Sequence, residues 1–190
     1  PARAQTQPHP TVPQDLSGLW RFSLDRYDEG VKQEWFNVRF PQFIRLPGIL
    51  QDQHQGDEIT TKTPWVLSLY DRFWYLREDY KDYTERNVKV PFLSQPPRHY
   101  LGVAWYQREI NVYQYQQARR FVLSLERPHW ETTVWLDGQK IGSNRSLVAP
   151  HLYEHGMISA GRHRLTIRVD NRMVMPYRPD AHSVSDSLGA

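Results

Sequence analysis

Polar and apolar residues alternate strictly along Arg164-Leu165-Thr166-Ile167-Arg168-Val169-Asp170, which predicts a β-strand with Leu165, Ile167 and Val169 on a buried face and their polar neighbours toward water. Val103 to Val112, Phe121 to Leu125 and Thr132 to Leu136 are rich in β-branched and aromatic residues and read as further strands. Asp137-Gly138 separates Val134-Trp135-Leu136 from Lys140-Ile141. That dipeptide takes the positive φ angles of a type I′ turn, so a hairpin is expected there. Toward the N-terminus, Leu19 to Leu24 follows the Ser17-Gly18 turn signal and reads as the first strand. Phe36 to Phe40 alternates imperfectly toward Pro41, and Ile44-Arg45-Leu46 runs into Pro47-Gly48, a pair suited to a tight turn. Strands spaced this closely, with no long amphipathic helical period, favour an all-β sandwich or jelly roll over any βαβ arrangement.

Two stretches stand outside this rhythm. Residues 1–14 are polar and proline-rich and read as a flexible leader, although Ala2-Arg3-Ala4 is similar to the small-residue end of a removed export signal. Such a signal would place the protein in the periplasm or outside the cell. About residues 65–87 form an aromatic insertion in which Trp65, Tyr70, Phe73, Trp74, Tyr75, Tyr80 and Tyr83 are interleaved with Asp and Arg. It reads either as a stacking surface for sugar rings or as a cover for the sandwich edge or a neighbouring domain, with room for a short helix. The remainder, 15–190, reads as a single domain.

Composition narrows the chemistry. The 24 basic and 21 acidic residues are scattered along the 190-residue chain, leaving a net charge of +3, a mixed surface that does not point to nucleic acid. There is no cysteine, which excludes disulfides, thiolate metal sites and cysteine nucleophiles. No apolar run approaches the roughly 20 residues that span a bilayer, so no membrane partner is expected. His151-Leu152-Tyr153-Glu154-His155 matches a zinc signature by letter, but that signature needs a helix, and Pro150 and Gly156 leave barely one turn. No nucleophile elbow, phosphate-cradling loop or dinucleotide fingerprint is present, and neither a metal nor a cofactor is expected. No pair of carboxylates can be nominated for glycoside hydrolysis, because spacing in sequence does not establish separation in space.

Several elements resemble, in order and spacing, the N-terminal sugar-binding domain of glycoside hydrolase family 2. They are Asp15-Leu16-Ser17-Gly18-Leu19-Trp20-Arg21-Phe22, Leu46-Pro47-Gly48 and Gly102-Val103-Ala104-Trp105-Tyr106-Gln107-Arg108-Glu109-Ile110. The second half adds Leu125-Glu126-Arg127, His129-Trp130-Glu131-Thr132, Val134-Trp135-Leu136-Asp137-Gly138, Gly142-Ser143, Pro150-His151 and Val169-Asp170-Asn171-Arg172. The resemblance implies a galactose-binding-like jelly roll whose closing strand lies beyond His182-Ser183-Val184-Ser185-Asp186-Ser187. It also implies a parent related to β-galactosidases, β-glucuronidases and β-mannosidases, retaining enzymes with catalytic residues in a later TIM barrel. On that footing the chain is a non-catalytic part of the pocket wall, with an Ig-like sandwich and the barrel as partners and a β-glycoside as substrate.

In the family, the loop after the hairpin reaches the pocket, and here it is expected over Gly142 to His151. Asn144 is the leading candidate for a sugar contact, since a planar amide donates and accepts in fixed directions, but it equally suits a loop cap. Where some β-galactosidases offer Asp, this loop offers Asn144 and Arg145, so a galactose preference does not carry over with the resemblance. His182 and Asp186 are further candidates near the pocket rim, or solvated terminal residues. Arg108 and Glu109 read as cross-strand or interdomain pairs, and Trp105 and Trp135 as packing in the core or against the next domain. Two other readings stand beside the domain reading. One is a free-standing carbohydrate-binding module using Trp65, Trp74 and Tyr75, and the other is a purely structural module.

Overall fold

Alternating side chains build eight strands in the computed structural model, which describes residues 13–65, 73–90, 94–116 and 119–172. They are β1 (Gly18–Asp25), β2 (Gln42–Leu46), β3 (Val103–Val112), β4 (Arg120–Leu125), β5 (Glu131–Leu136), β6 (Gln139–Arg145), β7 (His151–Met157) and β8 (Gly161–Asp170). Six of them form an antiparallel sheet in the order β2-β1-β3-β8-β5-β6, and β4 pairs with β7 in a second sheet. The all-β sandwich expected from the alternation is therefore present. His182 and Asp186 lie outside the described residues, as does Tyr70 of the aromatic insertion.

The core forms where the two sheets face each other. Trp20, Phe22, Ile44, Ala104, Tyr106, Ile110, Val134, Leu136, Leu165 and Ile167 of the large sheet meet Leu123 and Tyr153 of the small one. Cross-strand pairs keep this face in register, with Phe22 opposite Tyr106 and Val134 opposite Ile167. Each such burial contributes roughly 1.5–3 kcal/mol.

The opposite face of the large sheet departs from the expectation that it meets water. Thr166 and Arg168, the polar alternates of β8, are 0% and 8% exposed. The connection from β1 to β2 folds back over them and lays Trp35, Phe36 and Phe40 on Trp105 and Trp135. Trp105 stacks on Trp135 with ring centroids 5.1 Å apart, and Phe36 also stacks on Trp135 at 5.3 Å. Gln107 pins this cover from below, since its Nε2 donates to the Val38 carbonyl at 2.6 Å and its Oε1 accepts from the Phe40 amide. Phe36 to Phe40 is thus not a strand: Trp35–Asn37 is one turn of 3-10 helix, and β2 starts at Gln42.

The Asp137-Gly138 hairpin is as expected, with φ of 51° and 82° at the two turn residues. Gly138 is needed twice over, because a Cβ there would also collide with Asn37 of the covering connection. The His151–His155 segment is β7, not a helix. Residues four apart on a strand stand about 13 Å apart, which rules the zinc signature out of this geometry. In the aromatic insertion, short 3-10 turns span Trp74–Leu76 and Glu78–Tyr83.

Candidate functional site

At one end of the large sheet, β5 begins beside the ends of β6 and β8. Glu131 opens β5 and lies opposite both Arg145 of β6 and Asp170 of β8. This convergence brings Arg145 to Trp130, with Asn144 one position before it on β6. The Arg145 guanidinium lies 5.6 Å from the centre of the Trp130 ring, within reach of a cation–π attraction. The Trp130 amide donates to the Asp170 carbonyl at 3.1 Å, which ties the approach to β5 against the end of β8.

The loop expected over Gly142–His151 is shorter than anticipated, because β6 continues through Arg145 and β7 begins at His151. Asn144 is consequently a strand residue paired with Thr132. Its Oδ1 accepts a 2.7 Å hydrogen bond from the Arg145 amide. Its Nδ2 has no partner among the described residues. The acceptor half of the side chain thus serves the local backbone while the donor half remains for another group.

A buried polar chain holds the remaining loop. His151 is fully buried, its Nδ1 is 2.5 Å from Thr132 Oγ1, and its Nε2 is 3.0 Å from the Ser146 carbonyl. The Ser146 amide donates to Nε2 at 3.0 Å, so the ring proton sits on Nδ1 and is donated to Thr132 Oγ1. The Tyr153 hydroxyl meets Thr132 Oγ1 and donates to the Thr132 carbonyl at 3.1 Å. Burial pushes the Tyr153 phenol above its ordinary value, against the pull of the Thr132 hydrogen bond. Ser146 Oγ then accepts from the Val148 and Ala149 amides, closing the turn. A continuous ladder of hydrogen bonds therefore runs from the core to the turn after Asn144 and Arg145.

The same end carries an ionic network. Arg168 donates to Asp28 at 2.8 Å and Asp170 at 3.1 Å, and lies 3.8 Å from Glu131. Arg172 reaches Asp28 at 2.5 Å and Asp170 at 2.6 Å. Burial alone would raise both aspartates, but the hydrogen bonds from the two arginines outweigh it and hold them below the usual carboxylate value. Arg172 is raised in turn by its hydrogen bonds to Asp170 and Asp28. Asp28 and Asp170 stay ionised and occupied, so neither is poised to give up a proton at neutral pH. Among the described residues, no group of three or more His, Asp or Glu could hold a metal.

The structure brings Arg145 to Trp130, which sequence reasoning had not nominated for contact with a ligand, and sets Asn144 one position away on β6. Nothing in the local pattern signals Asp28, 140 residues from its partner Arg168. Arg108 is turned to the Leu16 and Ser17 carbonyls at 2.7 and 2.8 Å, and Glu109 pairs diagonally with Arg162 across to β8. Trp74 departs from its candidacy as an exposed stacking platform: it is 1% exposed, with Tyr75 and Tyr80 set edge-on around it. The arrangement near Asn144 supplies amide donors, a cation and an indole on one margin, the groups that hydrogen-bond and stack against a sugar.

Residues 14–186 match the family model described as glycosyl hydrolases family 2, sugar binding domain. Among solved structures, a β-glucuronidase from Ruminococcus gnavus in complex with a C6-substituted uronic isofagomine superposes with a TM-score of 0.57 at 18% identity. The match covers 83% of this chain and 21% of that one. A β-glucuronidase from an uncultured Clostridium sp. superposes equally well, at 19% identity over 87% of this chain and 24% of the other. The chain therefore spans between a fifth and a quarter of the length of these structures, and at such identities the likeness is one of fold.

Proposed function

Because this chain belongs to glycoside hydrolase family 2 through its sugar-binding domain, we propose that it is the non-catalytic N-terminal jelly roll of a retaining glycosidase and forms part of the wall of the substrate pocket. In this reading Asn144 Nδ2 donates to a sugar hydroxyl, and Trp130, steadied by Arg145, offers a face to the ring. Hydrolysis is carried out by later domains of the parent, an Ig-like sandwich and a TIM barrel being the expected partners. The substrate is a β-glycoside, and the parent works in the periplasm or outside the cell.

One observation carries this reading: the half-buried Asn144 keeps a free amide donor one residue from the Arg145–Trp130 contact, ahead of a turn that His151 locks to the core. Such preorganisation suits a group that must orient a hydroxyl and has less use in an inert surface. The experiment is Asn144→Ala in the parent glycosidase. A loss of about tenfold in kcat/KM matches one hydrogen bond to a bound sugar. An unchanged kcat/KM discards the assignment. The reading as a free-standing module loses one of its three platforms with the burial of Trp74.

A further inference from the structure

A concavity of about 290 Å³ opens on the outer face of the large sheet. Its walls come from β1, β2, β3 and β8 together with the covering connection: Arg21, Arg39, Arg164, Glu109 and Phe43 surround the buried Gln107. The charge balance is uneven. Arg21 spends one donor on the Phe40 carbonyl at 2.8 Å, and Arg164 spends one on the Asn37 carbonyl at 3.1 Å. Neither closes an ion pair among the described residues, although Glu109 stands opposite Arg164 across β3 and β8, and Arg39 has no partner of any kind there. Glu109, the one acid in the wall, is engaged by Arg162 at 3.5 Å. Three guanidinium groups thus converge on a small hollow with most of their N–H forks unspent.

Such forks match the planar, two-oxygen geometry of a carboxylate. The hollow is not wholly polar. Phe43 stands 49% exposed at its wall, with the Arg21 guanidinium 4.6 Å from the ring centre, which fixes that arginine's plane. An apolar wall beside arginine donors suits a ligand with a C–H face and an anionic end. The volume sits near the roughly 300 Å³ lower bound of small-ligand sites, so the ligand is of single-ring size.

We propose that this hollow binds a carboxylated monosaccharide unit, its carboxylate between Arg39 and Arg164 and its ring against Phe43. The anion site stands on the arginines alone. The choice of a sugar as the carrier of the carboxylate rests on the reading of the chain as a sugar-binding domain.

The test is calorimetric titration of the 190-residue chain with D-glucuronate and D-galacturonate, with D-glucose, acetate and inorganic phosphate as comparators. The expected result is uronate binding in the millimolar range that weakens with added salt, with glucose silent and acetate and phosphate weaker. Arg39→Ala, at an exposed position with no structural bond, is expected to weaken uronate about tenfold, the share of one charge-assisted hydrogen bond. Asn144→Ala is expected to leave this binding intact. Absence of uronate binding, or binding indifferent to Arg39→Ala, overturns the proposal. Acetate or phosphate binding as tightly as uronate also overturns it, since the site is then a simple anion trap. Uronate binding lost in Asn144→Ala and kept in Arg39→Ala places the sugar at the margin near Trp130, which sinks this inference and supports the pocket-wall reading.

Discussion

The indole nitrogen of Trp105 donates a 3.0 Å hydrogen bond to Oδ2 of Asp25, a residue 80 positions earlier and almost wholly buried. The same carboxylate accepts from the amides of Glu29 at 3.0 Å and Gly30 at 2.8 Å. It therefore anchors the start of the connection that covers the outer face of the sheet. Asp25→Ala leaves three donors without their acceptor, two of them buried. The expected cost is about 3 kcal/mol of folding stability, read from the midpoint and slope of urea denaturation.

His163 gives the chain a sensitivity to alkali. Its Nδ1 lies 2.6 Å from the Asp137 carboxylate and its Nε2 is 2.9 Å from the Ser159 carbonyl, so both ring nitrogens face acceptors. The hydrogen bond to Asp137 raises its pKa above the ordinary 6.5, against the effect of burial. A raised folded value means stability that is complete below the ordinary pKa and declines as pH rises through the folded one. The Tm is expected to fall as pH rises above the ordinary 6.5 and through the raised folded value, and His163→Gln is expected to flatten that limb. A wild-type profile no steeper than the variant's refutes the assignment.

The acid limb has a different origin. Asp28 and Asp170 are held below their ordinary 3.8 by Arg168 and Arg172, despite burial. Depressed folded values mean stability present above the ordinary carboxylate pKa and lost as pH falls through the folded ones. Asp28→Asn is expected to reduce stability at pH 7 and to make the loss on acidification shallower. Equilibrium denaturation at a series of pH values reads both effects together.

Thr132→Val cuts the hydroxyl out of the chain that links Tyr153, His151 and Ser146. The predicted loss is about 2 kcal/mol, since His151 then keeps a buried ring nitrogen without a partner. Amide exchange at Ser146 is expected to quicken beyond the global change. If exchange there merely follows overall stability, the His151 lock is not what holds the turn.

Most of the frame was legible because strands declare themselves by period two. The alternation of 164–170 and the Asp137-Gly138 turn were readable in residues a few positions apart. The cover on the outer face was not, because Trp35, Phe36 and Phe40 occur in a stretch without period and find their partners on β3 and β5 only after folding. β7 was hidden for a different reason. Its buried positions are His151 and Tyr153, while the apolar Leu152 is 57% exposed, so polarity runs opposite to burial. A histidine can sit inside only because Thr132 and Ser146 satisfy its ring, which local sequence cannot show. Asn144 and Arg145 were reached through family resemblance, and Trp130 became the companion of Arg145 only when strand pairing across β5 and β6 was known.

β6 is the outermost strand on its side of the large sheet, so one row of its peptide groups has no ladder to join among the described strands. Edges of this kind invite another molecule's strand and, with it, fibrous assembly. Here the edge is written in Gln139, Lys140, Gly142, Ser143, Asn144 and Arg145 around a lone Ile141. Two positive charges and a kinked pairing near Trp135 make it a poor template for foreign strands. The margin that offers an amide to a sugar is thereby also the one that keeps neighbouring copies from zipping together.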